Sequence, residues 1–299
     1  MICRDRIVLI TGAGRGIGRA HALAFAAAGA KVVVNDIGTS LKGEGCSDSV
    51  AAEVVVEIES AGGAAVANTH DITDFGQAGE LVAQALDTFG GLDVVVNNAG
   101  FLRDRMFVSQ AIDEWDAVMR IHLRGHFCVT RHACAYWRQQ AKASAMPDAR
   151  IINTSSGAGL QGSIGQAAYS AAKGGIAALT LVQAAELGRY GVTSNAIAPA
   201  ARTRMTEAFF AEAMARPDEG FDAMDPANVS PLVVWLGSTA SKSVSGRVFE
   251  VQGGEISLSD GWRPGPKVDK GARWAPGEVG DAVARLIAEA TPPAKVYGT

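Results

Sequence analysis

Tyr169 and Lys173 stand four residues apart in a stretch of helical character, which puts both side chains on one helix face. A free tyrosine titrates near about pH 10 and is a poor base at neutral pH, but an ammonium beside it lowers that value by stabilising the phenolate. Ser156 lies thirteen residues before Tyr169, just beyond the apolar pair Ile151-Ile152, and offers a hydroxyl able to orient a substrate oxygen. Such a set suits acid/base work on an alcohol or carbonyl oxygen. A tyrosine–lysine pair at this spacing is also common by chance, so the surrounding elements must decide.

A second group of residues has the form of a phosphate cradle. Thr11-Gly12-Ala13-Gly14-Arg15-Gly16-Ile17-Gly18 follows the short run Ile7 to Ile10 and opens a helical stretch at 16–29. A helix N-terminus presents unpaired N–H groups and a positive dipole end, and glycines let a pyrophosphate approach the backbone. Gly12, Arg15, Gly16, Ile17 and Gly18 are the expected contacts. The spacing is TGxxxGxG and not GxGxxG, because Ile17 and Arg19 stand where a third glycine would be needed. The next strand ends in Asn35-Asp36, eighteen residues beyond Gly18. A carboxylate there accepts from both adenosine ribose hydroxyls and repels a 2′-phosphate, which favours NAD over NADP. Arg15 pulls the other way, since a basic loop residue could meet that phosphate, but it can also turn to solvent. Asp36 as a plain strand-end turn residue is the simpler alternative.

These residues need a scaffold, and the chain has its rhythm. Short β-branched runs at 7–10, 31–34, 94–96, 151–152 and 248–251 alternate with helical segments near 16–29, 49–61, 76–89, 113–138, 167–189 and 226–239. Gly29, Gly62 and Gly90 close three of the helices. Strands apolar at every position are buried on both faces, so the fold class is α/β, a doubly wound parallel sheet of Rossmann type in a single domain. Residues 37–48 form a long loop, 200–230 suit a lid bearing Arg202, Arg204, Met205, Phe209, Phe210 and Met214, and a C-terminal extension at 256–299 packs on the domain and holds a helix at 277–290. At helical spacing such apolar residues are more often core or dimer contacts than substrate contacts.

Composition removes other classes. Lys and Arg total 27 against 31 Asp and Glu in 299 residues, a net charge of −4, so there is no basic excess for nucleic acid. The hydrophobic share of 48% excludes disorder, and the 35 glycines follow no G-X-Y period. Cys3, Cys46, Cys128 and Cys134 have no metal-ligand spacing, so no metal is expected and the thiols read as those of a reduced, cytoplasmic protein. Arg4 and Arg6 before a four-residue apolar run read as strand and turn and not as an export signal. The uncharged stretch 151–172 is too rich in Ser, Gly, Gln and Asn to span a membrane.

Taken in order, TGxxxGIG at 11–18, Asn97-Asn98-Ala99-Gly100, Ser156, Tyr169-Ser-Ala-Ala-Lys173 and Ile197-Ala198-Pro199 resemble the short-chain dehydrogenase/reductase family over roughly 5–255. The resemblance implies hydride transfer between a nicotinamide and a carbon bearing a hydroxyl, in a homodimer or homotetramer. It implies that Tyr169 is the acid/base, that Lys173 lowers its pKa and holds the nicotinamide ribose, and that Ser156 orients the reacting oxygen. Asp71 and Ile72 would flank the adenine, Asn98, Ala99 and Gly100 would line the cofactor, and Pro199 and Thr203 would close over its nicotinamide end. One departure is His122, in Ile121-His122-Leu123-Arg124-Gly125, where the family carries a proton-relay Asn. Either the imidazole takes over that relay or it is a buried helix histidine without a catalytic part.

Asn98 to Arg105, His122 to Gly125, Gly165-Gln166-Ala167 and Arg204-Met205-Thr206 look like the branch that oxidises (3R)-hydroxyacyl-CoA esters and hydroxysteroids. The expected function is NAD-dependent oxidation of a bulky apolar secondary alcohol, with Arg103, Arg105, Arg202 and Arg204 in reach of CoA phosphates. The alternatives are an NADP-dependent 3-oxoacyl carrier-protein reductase and a catalytically silent NAD-binding regulator. No nucleic-acid or membrane partner is expected.

Overall fold

Successive strand residues point to opposite faces, so a run that is apolar throughout must be covered on both sides. Ile7–Thr11 forms such a strand, β1. Val8 and Ile10 pack on one face with Phe25 and Leu236. Ile7 and Leu9 pack on the other with Leu81 and Trp137. Each such side chain contributes about 1.5–3 kcal/mol when fully buried, which makes this double layer the main stabilising element of the fold. The computed structural model describes residues 1–39, 45, 47, 49–203, 214–259 and 261–297.

The remaining strands are β2 (Lys31–Asn35), β3 (Ala64–Asn68), β4 (Val94–Asn97), β5 (Ala149–Thr154), β6 (Val192–Ala200), β7 (Val248–Gln252) and β8 (Glu255–Ser259). They form one sheet in the order β3-β2-β1-β4-β5-β6-β7-β8. All neighbours are parallel except β8, which runs antiparallel to β7. Among the described residues the helices are α1 (Gly16–Ala27), α2 (Ser49–Ser60), α3 (Phe75–Phe89), α4 (Ile112–Met119), α5 (Gly125–Lys142), α6 (Gly157–Gln161), α7 (Ala167–Leu187), α8 (Ser230–Gly237) and α9 (Val279–Glu289). The doubly wound Rossmann architecture expected from the strand–helix rhythm is the one observed. Strand order reverses between β1 and β4, and that switch point opens a crevice at the strand C-terminal ends.

Three local differences matter. The continuous helix expected at 113–138 is instead α4, a π-turn at Arg120–Arg124, and α5. The helix expected at 226–239 is a 3-10 turn, Pro226–Val229, followed by the shorter α8. Beyond β8 the extension is mostly exposed: Trp262 is fully exposed and α9 buries only Ala282. Among the described residues no helix is long and apolar enough to cross a membrane. Cys3, Cys128 and Cys134 are free thiols.

Candidate active site

A cavity of about 690 Å³ lies over the switch point and takes in Gly16, Asp36, Asn98, His122, Tyr169 and Thr203 among its lining. The glycine loop is its floor. Gly12 has φ +62°, and a Cβ there would stand 2.7 Å from the Ala99 Cα; at Gly18 a Cβ would stand 2.1 Å from the Gly12 carbonyl oxygen. Only glycine allows the loop and the end of β4 to approach this closely. The approach is pinned by Thr11 and Asn98. The Thr11 hydroxyl accepts from the Asn98 and Ala99 N–H groups at 3.0 and 3.1 Å. The Asn98 amide donates to the Thr11 and Gly12 carbonyls at 3.0 and 3.1 Å. The residue before α1, Arg15, makes no side-chain cap, so that helix start is not satisfied by its own N-cap. The donor set and the glycine floor fit a pyrophosphate.

Asp36 is held from both sides. Its Oδ2 accepts from the Gly14 N–H at 2.9 Å and its Oδ1 from the Gly38 N–H at 2.7 Å. Gly38 itself packs on Ser47, whose N–H bonds the Ile37 carbonyl at 3.0 Å, which closes the described part of the 37–48 loop. Residues 40–44, 46 and 48 of that loop lie outside the described residues. Arg15 is exposed and, among the described residues, donates to the Thr39 carbonyl at 3.3 Å. Across the cavity, Asp71 accepts from the Thr73 N–H at 2.8 Å and pairs with Arg120 at 3.4 Å, beside the buried Ile72. Gly100, Pro199 and Thr203 also line the cavity, and Thr203 lies over Gly16.

At the far end, β5 and α7 bring the catalytic candidates together. Ser156 caps α6 by accepting from the Ala158 N–H at 3.2 Å, and its hydroxyl is close enough to Tyr169 to favour the phenolate. The Lys173 ammonium lies 5.6 Å from the Tyr169 ring centroid and donates to the Thr154 carbonyl at 2.6 Å. Burial pushes Tyr169 up to about 12, opposed by the nearby Ser156 hydroxyl and reinforced by Asp104 and Tyr297. Burial likewise pushes Lys173 down to about 7. The direction at Tyr169 is therefore the reverse of that expected from a neighbouring ammonium alone. The cost of charging either group away from water outweighs their mutual attraction.

His122 sits in the π-turn, fully buried, with its ring edge-on to Tyr169 at 5.1 Å between centroids. Its Nε2 lies 2.8 Å from the Phe101 carbonyl, which can only accept, so Nε2 carries the proton and Nδ1 is a free acceptor. Nδ1 is buried and has no hydrogen-bond partner. Burial first, and then Lys173, holds the ring neutral, well below the ordinary histidine value. Gly100 makes room for it: a Cβ there would lie 2.0 Å from the His122 Cε1.

Several contributors escaped the sequence reading. Asp104 accepts from Gln166 Nε2 at 2.9 Å, and Arg105 N–H bonds the Gly165 carbonyl at 2.8 Å, so the 104–105 segment clamps the loop entering α7. Asn97, whose partner Asn98 faces the cavity, turns inward. Its amide donates to Thr130 at 2.8 Å and Asn153 at 2.9 Å, and Asn153 donates to Thr180 and Gln183 at 2.9 and 2.8 Å. That buried chain ties β4 and β5 to α5 and α7. Of the expected lid, residues 204–213, including Arg204, Met205, Phe209 and Phe210, lie outside the described residues. Arg202, expected to reach a phosphate, instead pairs with Asp222 and donates to the Met214 carbonyl at 3.1 Å. Arg105 pairs with Glu114 at 3.3 Å, while Arg103 lines the cavity with its guanidinium 5.6 Å from the Phe101 ring centroid.

Comparison with known proteins gives the family and the fold. The family model described as short chain dehydrogenase matches residues 6–213. The chain is 47% identical to hydroxyacyl-CoA dehydrogenase ChsB1 of Mycobacterium tuberculosis over 85% of its own length and 79% of the relative's. It is also 47% identical to peroxisomal multifunctional enzyme type 2 of Mus musculus, over 84% of this chain, but spans only 32% of that longer protein. A crystal structure of a short chain dehydrogenase from Mycobacterium avium superposes with a TM-score of 0.90 at 57% identity, covering all of both chains. Sequence, fold and relatives converge, and the chain belongs to the short-chain dehydrogenase family.

Proposed function

We propose that this oxidoreductase uses NAD to oxidise a secondary alcohol on a bulky apolar substrate, a 3-hydroxyacyl-CoA or a hydroxysteroid. Its family's Rossmann fold binds a nicotinamide dinucleotide; the preference for NAD is our reading, and Asp36 carries it. Both carboxylate oxygens are fixed by loop N–H groups, so the charge cannot swing away from a 2′-phosphate and its remaining lone pairs are available to ribose hydroxyls. Arg15 offers no counterweight of that rigidity. When bound, the cofactor supplies the hydride acceptor.

The side chains do the rest. Ser156 fixes the substrate hydroxyl, and Tyr169, beside Ser156, takes its proton. Lys173, held against the Thr154 carbonyl, orients the site, and the buried Nδ1 of His122 is an acceptor for a water that would relay the proton outward. The likeness to a hydroxyacyl-CoA dehydrogenase supports the thioester substrate, and Arg103 on the cavity rim is the residue we assign to its phosphates. A homo-oligomer in the cytoplasm is part of the same reading and rests on the family and on the three free thiols.

Initial rates with NAD and NADP on a panel of 3-hydroxyacyl-CoA thioesters and hydroxysteroids test this. We expect turnover on at least one class with NAD favoured more than tenfold. A preference for NADP would overturn the cofactor assignment, and turnover confined to small alcohols would overturn the substrate class. Tyr169→Phe should lose roughly 10²–10⁴-fold in turnover while still binding cofactor. A variant as active as the parent would remove Tyr169 from the chemistry.

A further inference from the structure

The C-terminal segment is mostly exposed, and at Tyr297 it lies against the body of the protein. The chain from 290 to 296 is irregular and contains Pro292-Pro293, which fix their own φ angles and stiffen the approach. At its end the Tyr297 N–H donates to the Gly162 carbonyl at 2.9 Å. The Tyr297 ring lies on Gly157, where a Cβ would stand 2.3 and 2.4 Å from two ring carbons. Any other residue at 157 would exclude the ring from this position. Gly157 directly follows Ser156, and Gly162 directly follows α6, so Tyr297 touches both ends of the helical turn that Ser156 caps. Tyr297 as a whole keeps 39% of its surface in solvent, so it is packed on Gly157 and still partly open. Beneath it is a pocket of about 120 Å³ lined by Ala198, Ala200, Glu250 and Gln252. The phenol is also close enough to Tyr169 to influence its titration.

A substrate oxygen held by Ser156 and Tyr169 must place its carbon substituents beside this turn. The glycine loop, Asp36 and Asn98 occupy the opposite part of the cavity. We propose that Tyr297 is a specificity-determining residue: the C-terminal segment forms the wall of the substrate pocket beside Ser156, and the Tyr297 ring limits the bulk of the group carried on the carbinol carbon. The identity of that group rests on the function proposed above, but the position of the wall does not. Shortening the side chain should enlarge the pocket, lengthening it should narrow the pocket, and removing only the hydroxyl should leave it unchanged.

The test uses full-length Tyr297→Ala, Tyr297→Trp and Tyr297→Phe with NAD, on 3-hydroxyacyl-CoA thioesters of increasing chain length and, in parallel, on a 2-alkanol series without CoA. The readouts are the ratio of kcat/KM between the bulkiest and smallest active substrates and the Kd of NAD from fluorescence quenching. We expect Tyr297→Ala to move the ratio at least fivefold toward bulky substrates and Tyr297→Trp to move it toward small ones. Tyr297→Phe should stay within twofold of the parent, and the Kd of NAD should hold within twofold throughout. Ratios unchanged in both Tyr297→Ala and Tyr297→Trp would overturn the proposal, as would a uniform loss accompanied by weaker NAD binding. If every thioester is inert and the alkanols react, the thioester reading fails while the alkanol ratios still decide the wall. An enzyme silent on both series and on hydroxysteroids would refute both.

Discussion

Tyr169 is a weak acid made weaker by its surroundings, and its environment can be edited one group at a time. Ser156, Lys173, His122, Asp104 and Tyr297 are the polar and titratable groups that face it, and among these Asp104 adds a negative charge that disfavours the phenolate. Asp104→Asn retains an oxygen to accept from Gln166 and removes the charge. The alkaline rise in alcohol oxidation should therefore move to lower pH in this variant, because the phenolate becomes easier to form. A kcat/KM profile against pH that does not move would show that Asp104 acts only as a clamp on the loop. The i, i+4 spacing made the Tyr169 and Lys173 pairing legible in the sequence. The sign of the shift was not legible, since it depends on how much water burial removes. Nor was Asp104, which reaches the site only because its segment pairs with the loop before α7.

Strands with valine or isoleucine at every position announced themselves, whereas β3 (Ala64–Asn68) and β6 (Val192–Ala200) did not. Their alanine, asparagine, serine and proline carry little β preference, and they are strands because a neighbour on the sheet supplies the ladder. The π-turn at Arg120–Arg124 was equally hidden, because the flanking pattern is helical on both sides. A π-turn accommodates one extra residue, and each residue of an α-helix advances the side chain by about 100°. Deleting Leu123 should restore a regular helix, keep the face of α5 that carries Val129, Ala133 and Trp137, and turn His122 away from Tyr169. We expect a circular-dichroism melt within a few degrees of the parent with turnover down at least tenfold. A deletion variant of full activity would show that the orientation of His122 is immaterial to the reaction.

Across the whole molecule, buried histidines couple stability to acidity. His21 bonds Ser230 at 2.9 Å between α1 and the start of α8, and burial pushes it down to about 3. His122 and His126 are also held well below the ordinary value by burial. In the unfolded chain all three titrate near about pH 6.5. Between the folded and unfolded values the unfolded state binds more protons, so stability is fully present above about pH 6.5 and is lost as pH falls below it. Scanning calorimetry should show a Tm that drops steadily from pH 6.5 toward 4, and His21→Asn should flatten that slope. A Tm constant over this range would contradict the neutral burial of these rings. The order of the sheet has a different consequence, for synthesis. Once β1, β2 and β3 have paired, β4 adds at the free side of β1, and β5, β6, β7 and β8 each add to the strand just before them. No strand has to be inserted between two already joined. A chain emerging from the ribosome can therefore extend its sheet one edge at a time, and the crevice between glycine loop and Asn98 exists from the moment β4 docks, long before α7 is made.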